Sequence, residues 1–276
     1  MATISAADVA KLRRMTLAGM MDCKKALEES NGDFTKAVEI IRKKGQAVAN
    51  KRADREATEG VVLSKVTANG KLGAMIVLNS ETDFVAKNAE FIALANKILD
   101  LALAKNPANL DGLKALQFDN TKVGDKVVEF MGIIGEKIEL AYFDKIVAPQ
   151  VHAYIHPGNK LATIAGFSKA GLDIQIYKDI SMQIAAMNPV AVDKEDVPEK
   201  IIAQELEIGK EQAKRDGKPD NMLEKIAQGK LAKFYKESTL MNQEFVKDSK
   251  ITVRQHLQAT DKELKVTSFK RFNLNL

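Results

Sequence analysis

Two stretches of this chain alternate apolar and polar residues with a period of two, and a turn signal interrupts each stretch. The four alternating runs are residues 61–67, 72–78, 151–155 and 161–167. Asn69-Gly70 separates the first pair and is typical of β-hairpins. His156-Pro157-Gly158-Asn159 separates the second pair, and its Pro and Gly suit the central positions of a type II turn. Two antiparallel hairpins are therefore predicted.

A helical pattern follows each hairpin, so the order hairpin, loop, helix occurs twice. Helices are predicted at residues 91–102, 121–134 and 177–187, and further strands from residue 138 and at 266–272. The repetition predicts an α+β fold with a duplicated core of antiparallel sheets. Its first copy covers residues 60–147, and its second copy covers residues 148–187 and 237–276.

Residues 1–48 have helical spacing throughout and predict a module of three short helices with a thin core. The apolar face of the third helix consists of Phe34, Ala37, Val38 and Ile41. Gly45 is expected to end this helix in the left-handed conformation. Residues 49–59 are strongly charged and are interpreted as a helical linker to the core.

Residues 188–236 are predicted to form an antiparallel helical hairpin inserted in the second copy. Asn188-Pro189 ends the preceding helix, and Gly217-Lys218-Pro219 separates two helical apolar stripes. The chain then returns to the core, because a helix with the capping-box pair Thr252 and Gln255 follows. The apolar stripes indicate either a homodimer seam or partner surface, or packing against the parent domain.

The composition is typical of a globular protein of about two domains, with 276 residues of which 45% are hydrophobic and 29% charged. The single cysteine cannot form an internal disulfide, and no signal peptide or membrane-spanning stretch is evident. A cytoplasmic location without membrane association is therefore expected. The net charge of +5 is attributed to a solvated surface rather than a nucleic-acid footprint, because both signs are interspersed and aromatics are few.

No pattern of catalytic, cofactor-binding or metal-ligating residues stands out. The sequence lacks a phosphate-binding loop, a nucleophile elbow and a zinc-helix motif. His152 and His156 span a strand and its turn, where this spacing does not bring them together, and Cys23 is interpreted as a buried apolar residue. Residues 132–135 have the Gly-x-x-Gly form of a KH-domain loop but continue an apolar helical stripe, which indicates a helix end. An enzyme with a small-molecule substrate is disfavoured, and no cofactor is predicted.

The loop over residues 79–87 carries an aromatic residue, Phe84, between the first hairpin and its helix. Spacing alone favours an inward position in which Phe84 covers the end of the sheet. The alternative is that Phe84 projects toward a partner. The matching loop of the second copy, residues 168–173, is shorter and has no aromatic. The fold therefore does not require an aromatic here, which favours a functional role for Phe84.

Two segments resemble the bacterial elongation factor Ts family, and the similarity extends over nearly the whole chain. They are residues 19–27 (GMMDCKKAL), followed by Gly32-Asp33, and residues 81–88 (ETDFVAKN). The resemblance implies a ubiquitin-associated-like three-helix module, a duplicated α+β core and an inserted helical hairpin. It also implies a guanine-nucleotide exchange factor that binds elongation factor Tu and promotes release of GDP. Family members commonly carry a C-terminal helical module after the last core strand, so a contact made through it is expected to be missing or replaced here.

The resemblance further implies roles for individual residues. Those that match the segment implicated in displacing magnesium from the partner's nucleotide site are Thr82, Asp83, Phe84 and Val85. Those that match the contact of the N-terminal module are Arg13, Met20 and Met21. His156 matches a contact position of the second copy. No catalytic residue or metal ligand and no specific nucleic-acid partner are implied, and the rival interpretation is an RNA-associated protein that uses its basic surface.

Overall fold

The computed structural model describes residues 4–16 and 18–275, and it begins with three helices. These are α1 Ala6–Thr16, α2 Met20–Glu29 and α3 Phe34–Lys51. They enclose a small apolar core in which Leu12, Cys23 and Leu27 are fully buried. Burial raises the pKa of the Cys23 thiol, which keeps it uncharged. The predicted three-helix module and the buried cysteine are confirmed.

The first copy of the core follows the module. In chain order it comprises β1 Glu59–Val66, β2 Leu72–Ser80, α4 Asp83–Ala86, α5 Ala89–Lys105, α6 Leu110–Ala115, β3 Gln117–Phe118, β4 Thr121–Lys122, α7 Val123–Ile134 and β5 Ile138–Val147. Antiparallel pairing gives the strand order β1-β2-β5, with Val61 opposite Leu78. The hairpin turn is closed where the Gly70 backbone N–H donates to the Thr67 carbonyl at 2.8 Å. Gly70 takes a φ of +71°, so the first predicted hairpin is confirmed.

The second copy repeats this arrangement. In chain order it comprises β6 Gln150–Ile155, β7 Leu161–Phe167, α8 Ile174–Met187, α9 Glu199–Arg215, α10 Asp220–Ser238, β8 Glu244–Phe245, β9 Asp248–Thr252, α11 Val253–Thr260 and β10 Val266–Asn273, with short 3-10 turns at Lys194–Asp196 and Leu240–Asn242. Its sheet has the order β6-β7-β10. In both copies the second hairpin strand lies centrally and pairs with a later strand of the same copy. The predicted α+β fold with a duplicated antiparallel core is confirmed.

The two sheets pack face to face through a shared apolar layer. This layer consists of Val62, Met75, Val77, Ile146, Ala148, Val151, Ala162 and Ile164. The other face of the first sheet packs on α5 and α7 through Phe91 and Phe130, and that of the second packs on α8 through Tyr177 and Ile180. Strand β2 is therefore covered on both faces, which makes it a rigid support for the segment that follows it.

Helix α3 does not end at Gly45, as predicted, but continues to Lys51. Gly45 is buried where α3 crosses α7, and a Cβ on Gly132 of α7 would lie 2.2 Å from the Gly45 Cα. The glycines permit a backbone approach that leaves no room for a side chain, so Gly45 serves packing rather than capping.

The predicted helical linker is wrong over residues 52–58, which form no helix. Residues 132–134 end α7 as predicted, and Gly135 follows with a φ of +80°.

Helices α9 and α10 form the predicted antiparallel hairpin. Their closest approach is at Gly209, where an added Cβ would lie 3.0 Å from the Ala227 Cα. The residues buried along the seam are Gly209, Ala213, Leu223, Ala227 and Leu231. The seam therefore buries the small and branched residues between the two helices, while Ile208 and Met222 each remain 45% exposed.

Across the described residues, no helix combines the length and apolar character needed to cross a membrane.

Candidate partner-binding site

The segment after β2 forms one helical turn rather than the predicted open loop. β2 continues to Ser80, and α4 occupies Asp83–Ala86. Thr82 is the N-cap of α4, since its hydroxyl oxygen accepts the backbone N–H of the third helical residue at 3.5 Å. Asn88 caps α5 in the same way, accepting two backbone N–H groups of that helix's first turn. These two caps place a compact turn between a buried strand and a long helix.

Phe84 and Val85 have opposite surroundings on this turn. Phe84 is 82% exposed, the highest value of any large apolar side chain in the described part of the chain. Val85 is 9% exposed and belongs to the core cluster under the first sheet. Successive helical residues point about 100° apart, so burying one leaves its neighbour free to project. The inward position expected for Phe84 from spacing is wrong, and Val85 occupies it instead.

A carboxylate from the end of α7 holds the N-cap residue of this turn. Glu136 Oε2 accepts the backbone N–H of Thr82 at 3.1 Å, and the Thr82 hydroxyl lies 3.0 Å from both Glu136 oxygens. Ser80 Oγ donates to the Thr82 carbonyl at 2.9 Å. Thr82 is therefore fixed through its backbone and its side chain together.

The preceding residue, Glu81, ties the turn to the N-terminal module. Its carboxylate accepts two hydrogen bonds from Arg52, just past α3, at 2.7 and 2.8 Å, and one from the Lys137 backbone N–H at 2.6 Å. The hydrogen bond from Lys137 and the Arg52 guanidinium lower the pKa of the Glu81 carboxyl below its usual value. Lys137 Nζ in turn donates to the carbonyls of Ala53 and Arg55 at 2.9 and 2.8 Å.

Asp83 lies at the outer end of the turn and is ionised at neutral pH. Lys87 Nζ donates to its carboxylate at 2.6 Å, one helical turn away. This hydrogen bond lowers the pKa of Asp83 and raises that of Lys87, and the charge of Lys160 from the second copy acts on Asp83 in the same direction. Lys160 also pairs with Glu59 at 2.8 Å. The tip thus presents one apolar side chain beside a carboxylate.

His156 lies in the second hairpin turn, which contacts the first copy. Gly158 has a φ of +92°, as a type II turn requires, and the Asn159 N–H donates to the His156 carbonyl at 3.1 Å. The Val62 N–H of β1 donates to the Asn159 carbonyl at 2.6 Å, so the turn is docked on the first sheet. His156 is exposed, and its Nδ1 lies 3.0 Å from the Tyr154 hydroxyl.

The three residues predicted in the N-terminal module lie on α1 and at the start of α2. Met20 is 47% and Met21 62% exposed, and Arg13 is exposed as well. Two neighbouring exposed methionines give this end of the module an adaptable apolar surface. The contacts that join this module to the core run through α3, at the glycine crossing with α7 and at the Arg52–Glu81 pair. The structure therefore links the module to the turn without placing the methionines against it.

Other residues considered from the sequence have structural surroundings. His152 Nδ1 lies 2.9 Å from the Ser181 hydroxyl, and burial lowers the pKa of this histidine. Within residues 4–16 and 18–275, no three histidine, cysteine, aspartate or glutamate side chains are grouped as a metal site requires.

Sequence reasoning missed Arg52, Glu136 and Lys137, which support the turn. No local pattern marks them, because Glu136 lies 54 positions from Thr82 and Arg52 lies 29 positions from Glu81. The only available signal was the Gly-x-x-Gly segment, which places a helix end directly before Glu136. The contact between this segment and Thr82 could not be predicted from the Gly-x-x-Gly pattern.

A capped turn that holds a solvent-exposed aromatic is typical of the class of proteins that bind another macromolecule through a preformed contact. Comparison with known proteins then identifies the family. The sequence model of the family described as "Elongation factor TS" matches residues 81–275. The chain belongs to the elongation factor Ts family.

Full-length relatives support this assignment. A protein of Porphyromonas gingivalis named elongation factor Ts is 56% identical over 269 residues, which cover 97% of each chain. A protein of the same name from Amoebophilus asiaticus is 51% identical over 270 residues, which cover 97% of this chain and 98% of the relative. One from Flavobacterium psychrophilum is 48% identical over 272 residues, covering 98% of each. The similarity thus extends beyond the matched segment to the N-terminal module.

Proposed function

We propose that this chain binds elongation factor Tu in its GDP-bound form and promotes release of GDP by disturbing the magnesium and phosphate site. Membership of the elongation factor Ts family supports the general role of a guanine-nucleotide exchange factor in translation elongation. The proposed location of this activity is the cytoplasm. The observation that carries the proposal is Phe84, 82% exposed on a turn that is capped and hydrogen-bonded on both sides.

The proposed activity needs no bond to be made or broken. A GTPase holds its nucleotide through backbone amides around the phosphates and through a magnesium ion, so release is slow unless that geometry is disturbed. A factor that binds the nucleotide-free partner more tightly than the GDP-bound partner weakens GDP binding by the same factor. The absence of a catalytic motif in the sequence is consistent with this role.

Phe84 and Asp83 have separate tasks in this proposal. Phe84 inserts between helices of the partner and shifts their packing by a discrete step, because packed interfaces switch rather than deform gradually. Asp83 brings a negative charge next to the groups that support the ion. Val85 matches the same segment but lies in the core, so its task is to hold the turn from inside.

The N-terminal module supplies a second contact through Arg13, Met20 and Met21. Two contacts on one rigid body raise the effective concentration of each once the other has formed. His156, docked beside the first sheet, supplies a third contact from the second copy. The proposed division of the chain is a module over residues 1–48, a linker over 49–59, a first core copy over 60–147, a second core copy over 148–187 and 237–276, and the inserted helical hairpin over 188–236.

The test is release of labelled GDP from elongation factor Tu with and without this protein. Phe84→Ala is expected to slow the stimulated release by about tenfold or more, the effect of losing an interface hot spot. The matched control is Ile174→Ala, which shortens a side chain that is 61% exposed just after the corresponding loop of the second copy. Wild-type release rates with both Phe84→Ala and Asp83→Ala would refute the proposal.

The RNA-associated alternative is separated by a retention assay on single-stranded RNA at physiological salt. Nonspecific phosphate contacts weaken steeply as salt rises, so retention that persists would favour RNA binding. The exchange proposal expects retention to be lost while GDP release is still stimulated.

The homodimer predicted through the helical hairpin stays a prediction. Ile208 and Met222 each remain 45% exposed on the hairpin and are the apolar side chains available to a second copy. Sedimentation equilibrium of the full chain tests it, with dimers expected for the wild type and monomers for Ile208→Glu. A monomeric wild type would contradict the prediction.

A further inference from the structure

We propose that Glu136 is the positioning residue of the Phe84 turn: its carboxylate, supplied by the end of α7, fixes the orientation in which Phe84 meets the partner. This inference rests on the proposed function, because it concerns how the contact residue is presented. Glu136 itself is not assigned a contact with the partner or with the nucleotide.

The N-cap of α4 lacks the usual local partner. In a capping box, the third helical residue is Glu or Gln and reaches back to accept the N–H of the N-cap residue. In α4 the third helical residue is Val85, whose side chain is buried in the core and has no hydrogen-bond acceptor. The Thr82 N–H is instead accepted by Glu136 Oε2 at 3.1 Å, and the Thr82 hydroxyl lies 3.0 Å from both oxygens of that carboxylate. Glu136 therefore completes in space a cap that the local sequence leaves incomplete.

Helix α4 is too short to hold its own shape. A helix of four residues gains too few internal hydrogen bonds to offset the cost of nucleation, so it does not persist unaided. Its shape depends on Val85 inside the core and on the contacts of Thr82. Phe84 is too exposed to contribute through its own packing. The position from which Phe84 projects is consequently set by the Thr82–Glu136 contact together with the anchor of Val85.

One short segment after α7 contacts both residues that precede the turn. Glu136 accepts from Thr82, while the Lys137 backbone N–H donates to Glu81 Oε1 at 2.6 Å. The segment after α7 and the segment before α4 thus exchange hydrogen bonds in both directions. Because Glu81 also accepts from Arg52, the support of the turn is continuous with the exit of α3.

The experiment measures stimulated GDP release for Glu136→Ala, Glu136→Gln and Phe84→Ala, and for Glu136→Ala combined with Phe84→Ala. Glu136→Ala is expected to slow release about tenfold, because hydrogen bonds to a charged acceptor are lost. Glu136→Gln keeps one acceptor oxygen and is expected to recover most of the rate. In the Phe84→Ala background, Glu136→Ala is expected to add less than twofold, since a positioning residue acts only through the residue it positions.

Glu139→Ala is the matched control. It removes a nearby glutamate whose side chain is 51% exposed and lies at the start of β5. Thermal unfolding of each variant verifies that it folds. If Glu136→Ala does not fold, Glu136→Asp replaces it, because the shorter side chain draws the carboxylate back from Thr82, and it is expected to slow release.

The outcomes separate the two proposals. If Phe84→Ala slows release while Glu136→Ala, or its replacement Glu136→Asp, releases GDP at the wild-type rate, positioning by Glu136 is overturned and the proposed function stands. If Glu136→Ala slows release as much with Phe84→Ala as without it, Glu136 acts by another route and the inference is again overturned. If Phe84→Ala has no effect, positioning of Phe84 is overturned, and the proposed function fails as well if Asp83→Ala also has no effect.

Discussion

Among single residues, the adjacent apolar side chains Phe84 and Val85 have different roles: one is exposed, and the other anchors the turn in the core. Val85 joins the core under the first sheet, whereas Phe84 is left in solvent at the tip of the same turn. Val85→Ala is expected to lower the free energy of unfolding by about 2 kcal/mol, as core truncations do. Phe84→Ala should change it by less than about 0.5 kcal/mol. Urea unfolding of both variants checks this, and equal losses would show that Phe84 is packed.

Glu81 gives a prediction for the pH dependence of stability. Its folded-state pKa is lowered by the Lys137 backbone hydrogen bond and by Arg52, so its ionised form stabilises the fold above its unfolded pKa near 4.5. That contribution is lost as the pH falls through the lower, folded-state pKa. The free energy of unfolding is expected to decrease below about pH 4.5, with a shallower decrease in Glu81→Gln. Urea unfolding at several pH values checks it, with exposed Glu139→Gln as control, and identical slopes for Glu81→Gln and wild type would contradict it.

At the scale of elements, the crossing of α3 and α7 decides how the N-terminal module is attached. A Cβ on Gly132 would lie 2.2 Å from the Gly45 Cα, so Gly132→Ala must force the helices apart. It is expected to cost about 1–3 kcal/mol of stability, the usual range for overpacking. The control is Gly229→Ala in α10, where nothing lies within 4 Å of an added Cβ and higher helix propensity should add up to about 1 kcal/mol. Thermal unfolding distinguishes them, and a neutral Gly132→Ala would show that the crossing is loose.

At the scale of the whole molecule, the module and the turn belong to one connected body. Removing residues 1–50 would strip α3 from α7 as well as remove the module's surface, so contact is better tested by changing Met20 and Met21 alone. Changing both to Ser should weaken binding to elongation factor Tu about tenfold, as the loss of an apolar interface contact does. The melting temperature should not change, because both side chains are largely exposed. Calorimetric titration against the nucleotide-free partner measures it, and unchanged affinity would remove the module from the interface.

Much of the architecture could be predicted from local patterns. The two hairpins follow from period-two runs around Asn69-Gly70 and around residues 156–159, and the N-terminal helices and the inserted hairpin follow from helical spacing. The duplication follows because the same order of elements recurs. For the candidate site, only the location in the sequence could be predicted. The family resemblance indicated residues 82–85, but the spacing of apolar residues favoured a buried Phe84, which is exposed in the structure.

Local sequence patterns were enough to predict the main helices and strands and their order, because turn signals and hydrophobic periods act over a few neighbouring residues. Three features became visible only in the folded chain: Gly45 packs rather than caps, Val85 is buried while Phe84 is exposed, and Glu136 accepts hydrogen bonds from Thr82. Each of these depends on a meeting between segments far apart in the chain, such as Glu136 and Thr82 at a separation of 54 positions. A local pattern cannot specify such a partner, since the contact exists only after the elements have packed.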